Sequence, residues 1–311
     1  MKKGIIYITL LIGFQSFGQA MLMLGNREEL NPVGINFSSI PNLGGTEVTS
    51  YGANLNFGIP LKKGLIGLSL GYQNHDFVFS ESTNLIDLSS FENIQVIRSN
   101  VSYMVPLKDS LNFILSAGTS LMSNFGDGLS SEDFVFNAII GALKRWGNNE
   151  RNSALLIGAL YGTQFGEPTL LPAISFNQKL NEHWGYSLGL PVTGVNYQIN
   201  EKHRLSFLVS PHGIFGNNSN EERVEGNRLL SNTKIQFNGI NTRISYQFKF
   251  TKYLAFFAEG GFILNSVLKI LDNDNNEIID LNPGSGTYFN TGLRLVIKRA
   301  NNMYLKKKNE N

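Results

Sequence analysis

Five ionisable residues of the 311-residue chain fall on the polar side of an alternating pattern: Arg98, Arg204, Arg243, Glu259 and Arg294. Side chains alternate across a strand, so these charges turn toward one interior face. A tight hairpin around Phe250 to Lys252 would bring Glu259 roughly opposite Arg243, with Arg294 on the next strand. An Arg-Glu-Arg cluster of this kind ordinarily braces an interior by pairing charges that are costly alone. Its functional use would be an electropositive constriction that favours anions.

Other chemistry is weaker. The histidines are His75, His183, His203 and His212, of which His183 and His203 fall in short turns. Ser210 and His212 stand two apart on one strand face near a strand end, close enough for a Ser/His lipid hydrolase. Neither a third orienting group nor an oxyanion hole accompanies them, so no catalytic residue and no enzyme activity is assigned. Asp272-Asn273-Asp274-Asn275-Asn276, with Asp280 in ninth place, resembles a calcium loop. Glu277 stands where the turn glycine belongs and Pro283 where the last glutamate does, so a polar hairpin is expected and no metal. There is no cysteine, which excludes disulfides, thiolate metal sites and a lipid-modified N-terminal cysteine. No glycine motif for a nucleotide cofactor stands between a strand and a helix, and no basic block suggests nucleic acid.

The elements that must position these residues are strands. Charged residues make up 16% of the chain, against roughly 25% in soluble domains. That shortage calls for a non-aqueous surface. Yet the longest apolar run, Gly4 to Phe14, is too short for a spanning helix, which needs about 20 residues. With Lys2 and Lys3 before it and a small, polar end at Gln15 to Ala20, residues 1–20 read as a signal peptide. Cleavage after Gly18 or after Ala20 satisfies the small-residue requirement.

From Val33 onward the period is two. Tyr51, Ala53, Leu55, Phe57 and Ile59 alternate with Gly52, Asn54, Asn56, Gly58 and Pro60, and the pattern recurs at Leu111–Ser120 and Ile240–Phe248. A soluble sandwich would carry Lys and Glu on its polar face, whereas here that face is Gly, Ser and Asn. An internal repeat, Phe57-Gly58-Ile59-Pro60-Leu61-Lys62 and Tyr103-Met104-Val105-Pro106-Leu107-Lys108, ends a strand and opens a tight turn each time. Looser copies lie at Tyr197–Lys202 and Phe248–Lys252. Long polar connections alternate with these turns: 80–92, 123–133, 165–168, 213–230 and 272–286. The expected strands are 33–40, 46–60, 64–79, 92–106, 110–122, 133–146, 152–164, 169–180, 184–191, 193–200, 203–212, 231–249, 253–271 and 286–298. This predicts an all-β, transmembrane, antiparallel up-and-down β-barrel of about 14 strands, with about 12 as the alternative because the first strand and the Pro191 to Gly194 corner are weakly marked. Phe57, Tyr103, Trp146, Trp184, Tyr186, Tyr246 and Tyr253 gather near the short turns, as an aromatic girdle would.

The signal ending Ser16-Phe17-Gly18-Gln19-Ala20, the Pro-Leu-Lys turns and the Asn-rich connections resemble outer-membrane β-barrels of the Bacteroidota type, specifically their uncharacterised, domain-of-unknown-function families. One departure is that Leu293 to Ile297 is followed by a polar tail rather than a terminal aromatic. The resemblance implies the Gram-negative outer membrane, with lipid, lipopolysaccharide and the barrel-assembly machinery as partners. The expected organisation is a signal peptide (1–20), a short periplasmic segment (21–32), the barrel (33–298) and a polar periplasmic tail (299–311). So short an N-terminal segment makes a plugged transporter of the fatty-acid type less expected, although an inward-folded outer loop could substitute. The expected function is a passive pore for small solutes, or a structural barrel with an Arg-rich, side-chain-filled lumen. The alternatives are a binding or adhesion scaffold using the Asn-rich outer loops and, third, an outer-membrane lipid hydrolase.

Overall fold

A computed structural model describes residues 29–80, 83, 85–148, 151–224 and 228–298. The expected signal peptide with its two cleavage positions, residues 21–28 of the next segment and the tail 299–311 lie outside the described residues. A short pairing, β1 (Glu29–Leu30) with β19 (Ile297–Lys298), joins the two ends of the described chain.

Fourteen antiparallel strands form the wall. They are β2 (Val33–Leu43), β3 (Thr46–Leu61), β4 (Gly64–Phe79), β5 (Asn93–Pro106), β6 (Leu111–Ser123), β7 (Phe134–Gly147), β8 (Asn152–Gly162), β9 (Thr169–Lys179), β10 (Trp184–Leu190), β11 (Thr193–Gln198), β12 (His203–Asn218), β15 (Thr233–Lys249), β16 (Leu254–Leu271) and β18 (Gly284–Leu295). Each pairs with the next, and β18 pairs with β2 from Phe289↔Ser39 to Arg294↔Gly34, which closes the ring. Closure removes the free sheet edges that a membrane interior would not tolerate.

The alternation read from sequence sets the two faces. On β3, Ser50, Asn54 and Asn56 are buried toward the lumen while Tyr51, Leu55, Phe57 and Ile59 are exposed. The outward face is apolar around the ring, with Ile244 56% exposed, Phe289 55% and Phe262 54%. Apolar surface this continuous needs lipid rather than water against it. Among the described residues no helix is long and apolar enough to cross a membrane.

The wall is uneven in height. β10 and β11 have 7 and 6 residues, whereas β12, β15 and β16 have 16, 17 and 18. β12 pairs with β11 only from Arg204 to Val209, then continues with β15 as far as Asn218↔Thr233. Above the low stretch it crosses the lumen and meets β6 in a parallel bridge, Asn217↔Ser123, with the Asn124 amide donating to the Asn217 carbonyl at 3.1 Å. Two glycines permit the crossing. A Cβ on Gly213 would press on the carbonyls of Thr163 and Gln164 at 2.6 Å, and one on Gly216 would run into the Ile94 side chain.

The crossing encloses an apolar core at the long-loop end of the lumen. Ile94 and Val96 of β5, Met122 of β6, Ile214 and Phe215 of β12, and Phe237 of β15 are all buried there. Residues Ile86, Leu88 and Phe91 of the 80–92 connection insert from above, with Phe91, in a short 3₁₀ turn (Ser89–Phe91), fully buried. A long connection therefore folds into the barrel. Burial of each large side chain contributes about 1.5–3 kcal/mol.

Several expected boundaries change. The strand expected to end at His212 runs to Asn218, because pairing with β15 continues and the Asn-rich stretch that reads as loop is buried with its amides bonded. The tip of that connection holds a small hairpin, β13 (Glu222–Val224) with β14 (Arg228–Leu230). In the last connection β17 (Glu277–Asp280) folds back onto β16. The final expected strand, 286–298, is divided into β18 and β19, with Val296 between them.

Candidate functional site

Four of the five predicted lumenal charges lie on neighbouring strands. Arg204 is on β12, Arg243 on β15, Glu259 on β16 and Arg294 on β18, a continuous arc of the wall. Arg243 Nε stands 3.3 Å from Glu259 Oε2, and both residues are 6% exposed. They are not opposite each other: Glu259 faces Ser245 across the ladder and Arg243 faces Gly261, so the ion pair is diagonal. The register at the Phe250–Lys252 turn, which opens with the Lys249↔Ala255 pair, displaces the pair by two residues from the expected alignment.

Hydrogen bonds complete the pair. Arg243 Nη1 donates to Ser210 Oγ at 2.8 Å, and Asn290 Nδ2 donates to Glu259 Oε2 at 2.8 Å. Arg294 lies over the Phe257 ring, 3.9 Å from its centroid, within electrostatic reach of Glu259 and Arg204. Arg204 Nε donates to Gln198 Oε1 at 2.6 Å. Arg98 is separate. It stands on β5, across the lumen, and donates to Gln73 Oε1 at 3.3 Å.

The Ser210/His212 pair is lumenal. Both alternate inward, the Ser210 hydroxyl is taken by Arg243, and the His212 ring packs edge-on against Phe237 and Tyr288 at 5.8 Å each. The face-sharing expected of them holds, but a reactive site on the outer surface does not follow from it. The Ser/His contact that does form is Ser50 Oγ to His75 Nδ1, 2.8 Å, and it was not legible because these residues sit on different strands. His75 lies within electrostatic reach of Arg98 and His212.

His183 and His203 are at the short-turn rim, bonded through Nδ1 to the Gln198 carbonyl and the Tyr246 hydroxyl, 2.6 Å each. Phe57, Tyr103, Trp146, Trp184, Tyr186 and Tyr246 lie on outward strand positions and Tyr253 in a turn, all toward the same rim. In the last long connection Asp272 Oδ1 accepts the amides of Asp274 (2.9 Å) and Asn276 (2.8 Å). Asp280 instead faces Lys269, 3.8 Å away, so the two carboxylates of the calcium-like pattern do not converge.

An open space lies at the short-turn end. A cavity of about 940 Å³ lies between the turns that join β9 to β10, β11 to β12 and β15 to β16. Lys179, Lys202, Arg204, Lys249 and Lys252 line it, with Glu182 and Glu201 as its carboxylates. Of these only Arg204 was singled out from sequence. Lys179 and Lys249 share the inward parity of Asn177 and Gln247, a signal that their position at strand ends concealed.

Residues 65–296 match the family described as Domain of unknown function (DUF6268). The chain belongs to this family. The match spans β4 to β18 and therefore the whole lumenal arc and the cavity. No curated protein matches the sequence. Solved structures similar to it include the NanC porin (10% identity, TM-score 0.38, covering 85% of this chain and 98% of that one). The toluene transporter TodX of Pseudomonas putida is another (11% identity, TM-score 0.33, 87% and 89%). Outer membrane phospholipase A from Escherichia coli is a third (10% identity, TM-score 0.32, 84% and 89%). A porin, a transporter and an enzyme share these scores, and at such low scores none of them bears on the function of this chain.

Proposed function

We propose that this family member is an outer-membrane barrel of a Gram-negative cell whose lumen is sealed toward the outside, a structural or binding barrel rather than a standing open pore. The continuous apolar outward face supports the membrane placement, with lipid and lipopolysaccharide against it. The short turns would then face the periplasm and the long connections the exterior, as is usual for such barrels. Insertion would pass through the barrel-assembly machinery. The Bacteroidota-type resemblance is carried by the Pro-Leu-Lys turns, which end β3 and β5.

One observation carries the sealed reading: the apolar core that joins Phe91 of the inserted loop to Ile94, Phe215 and Phe237 of opposite walls. A barrel of this strand number has interior room that side chains of its wall alone do not fill. Here the inserted loop and the crossing of β12 fill its outer part. The adhesion reading has less support, since the asparagines of the outer connections bond one another: Asn124 Nδ2 donates to Asn218 Oδ1 at 2.5 Å, and Asn217 Nδ2 to Asp133 Oδ1 at 2.8 Å.

Planar-bilayer recording of the purified full-length protein tests the proposal. The expected result is a silent membrane, even though folding is confirmed by heat-dependent gel mobility. Stepwise, ohmic openings of the wild-type protein would refute it and restore the passive pore.

A further inference from the structure

A sealed outer end gives the lumen one mouth, the cavity among the short turns. Its lining is unbalanced in charge: Lys179, Lys202, Arg204, Lys249 and Lys252 against Glu182 and Glu201. Further in, Arg294 and Arg243 continue the positive surface, offset by Glu259. Low-dielectric walls focus such a field at the mouth and raise the local concentration of anions.

The cavity is also suited to a small molecule in size and chemistry. Its volume of about 940 Å³ falls within the range of small-molecule pockets. The Asn196 side chain lines it beside the cations with its Oδ1 accepting from Ser206 Oγ, which turns a neutral amide donor toward a ligand's remaining oxygens. The bond from Arg204 Nε to Gln198 Oε1 fixes the plane of the guanidinium at the cavity wall. The cations come from three separate hairpins and outnumber the carboxylates beside them, so a monovalent ion reaches only part of this positive surface. A molecule with two or more anionic groups can reach more of it.

We propose that this mouth is a binding site for a small polyanion, carrying two or more carboxylate or phosphate groups, taken up from the periplasmic side. The inference rests on the sealed-barrel reading, and the two fail differently. An open barrel shows itself as conductance before any ligand is added, whereas a missing site shows itself as no saturable binding in a silent barrel.

Isothermal titration of the full-length protein in a non-ionic detergent tests it, with citrate and inorganic pyrophosphate as anionic probes and glucose as the neutral one. Saturable binding of citrate alone identifies carboxylates as the recognised groups, and of pyrophosphate alone, phosphates. Binding of both identifies a polyanion site indifferent to the oxyanion. Affinity should fall at least about tenfold in Arg204→Gln and when sodium chloride is raised to about 0.5 M. Should Arg204→Gln fail to fold, the turn double variant Lys202→Glu/Lys252→Glu gives the same readout from exposed positions. Lys108→Gln, on a different short turn, should leave affinity unchanged. Glucose binding as well as the anions, affinities unmoved by the Arg204 and Lys202/Lys252 substitutions, or no saturable binding of either anion would each overturn the proposal.

Discussion

Asn217 of β12 and Ser123 of β6 belong to opposite walls of the barrel, yet they meet in a parallel β-bridge, and Asn217 Nδ2 donates to Asp133 Oδ1 at 2.8 Å. In an up-and-down barrel strands so far apart in order have no reason to touch. Here they do because β10 and β11 stop short and leave the upper part of β12 free to lean across.

Asn217→Ala removes the amide that ties the crossing strand to the 3₁₀ turn at Ser131–Asp133 and leaves the buried Asp133 carboxylate without that donor. The expected cost is about 1–3 kcal/mol. Amide hydrogen exchange should quicken in 214–218 and 233–237 and stay unchanged in 52–58. Equal quickening in both regions would place the effect in the whole barrel instead of the crossing.

Phe91→Ala empties a fully buried site of the apolar core, with an expected loss of about 3–5 kcal/mol. Because the loop, not a wall strand, loses its anchor, the barrel should still resist boiling-free gel electrophoresis while brief openings appear in bilayer recordings. A silent Phe91→Ala variant with an intact barrel would show that the crossing strands seal the lumen without the loop.

Glu259→Ala leaves Arg243 buried without its ion partner and should cost about 3–5 kcal/mol in urea unfolding from vesicles. The double change Arg243→Met/Glu259→Leu should recover most of that loss, since an apolar pair of similar volume avoids the desolvation penalty. If the single and double variants lose equal stability, the pair is not the source of the loss.

Ile244→Arg and Ser245→Arg put the same charge on opposite faces of β15. Ile244 is on the exposed apolar belt, and arginine there should cost about 2–4 kcal/mol in refolding into lipid. Ser245 stands opposite Glu259 in the lumen, where the new charge meets a carboxylate, so its cost should be smaller. Reversal of that order would exchange the assigned lipid and lumenal faces.

The hairpin tip at Asp272 carries a pH dependence. Slight burial pushes its carboxyl up, but hydrogen bonds from the Asn276 side chain and from the Asn276 and Asp274 amides outweigh this and hold it below its ordinary value. A carboxylate depressed on folding stabilises above its unfolded value of about 4 and loses that contribution as pH falls through the lower, folded value. Exchange protection of the Asn276 amide should therefore persist at neutral pH and vanish only below about pH 4, and Asp272→Ala should lack it at both.

Much of the barrel is written locally. Tyr51 to Ile59 against Asn54 and Asn56 fixes which face meets lipid, because side chains alternate strictly along a strand and a slip of one residue would expose every asparagine to hydrocarbon. The turns at Leu61–Gly64 and Pro106–Leu111 follow from proline and lysine placed where pairing must stop. The same parity sets Arg243, Glu259 and Arg294 on one inner surface, though not the diagonal contact of Arg243 with Glu259, which depends on the hairpin register.

What local pattern does not hold is the relation between walls. Asn217 and Asn218 have the composition of a loop, and partners that include Asn124 and Asp133, brought from distant parts of the chain, make them buried strand residues. Phe91 reads as one aromatic in a polar connection until Phe215 and Phe237, from strands across the barrel, join it in one buried cluster. The five cations at the mouth come from three turns separated by long stretches of chain, and their convergence depends on strand order. The sequence by itself determined a membrane-facing barrel, since hydropathy and turn chemistry act between near neighbours. Tertiary structure alone decided that Phe91 shares one buried core with Phe215 and Phe237 and that five cations gather beside the short turns, since the first depends on unequal strand lengths and the second on strand order.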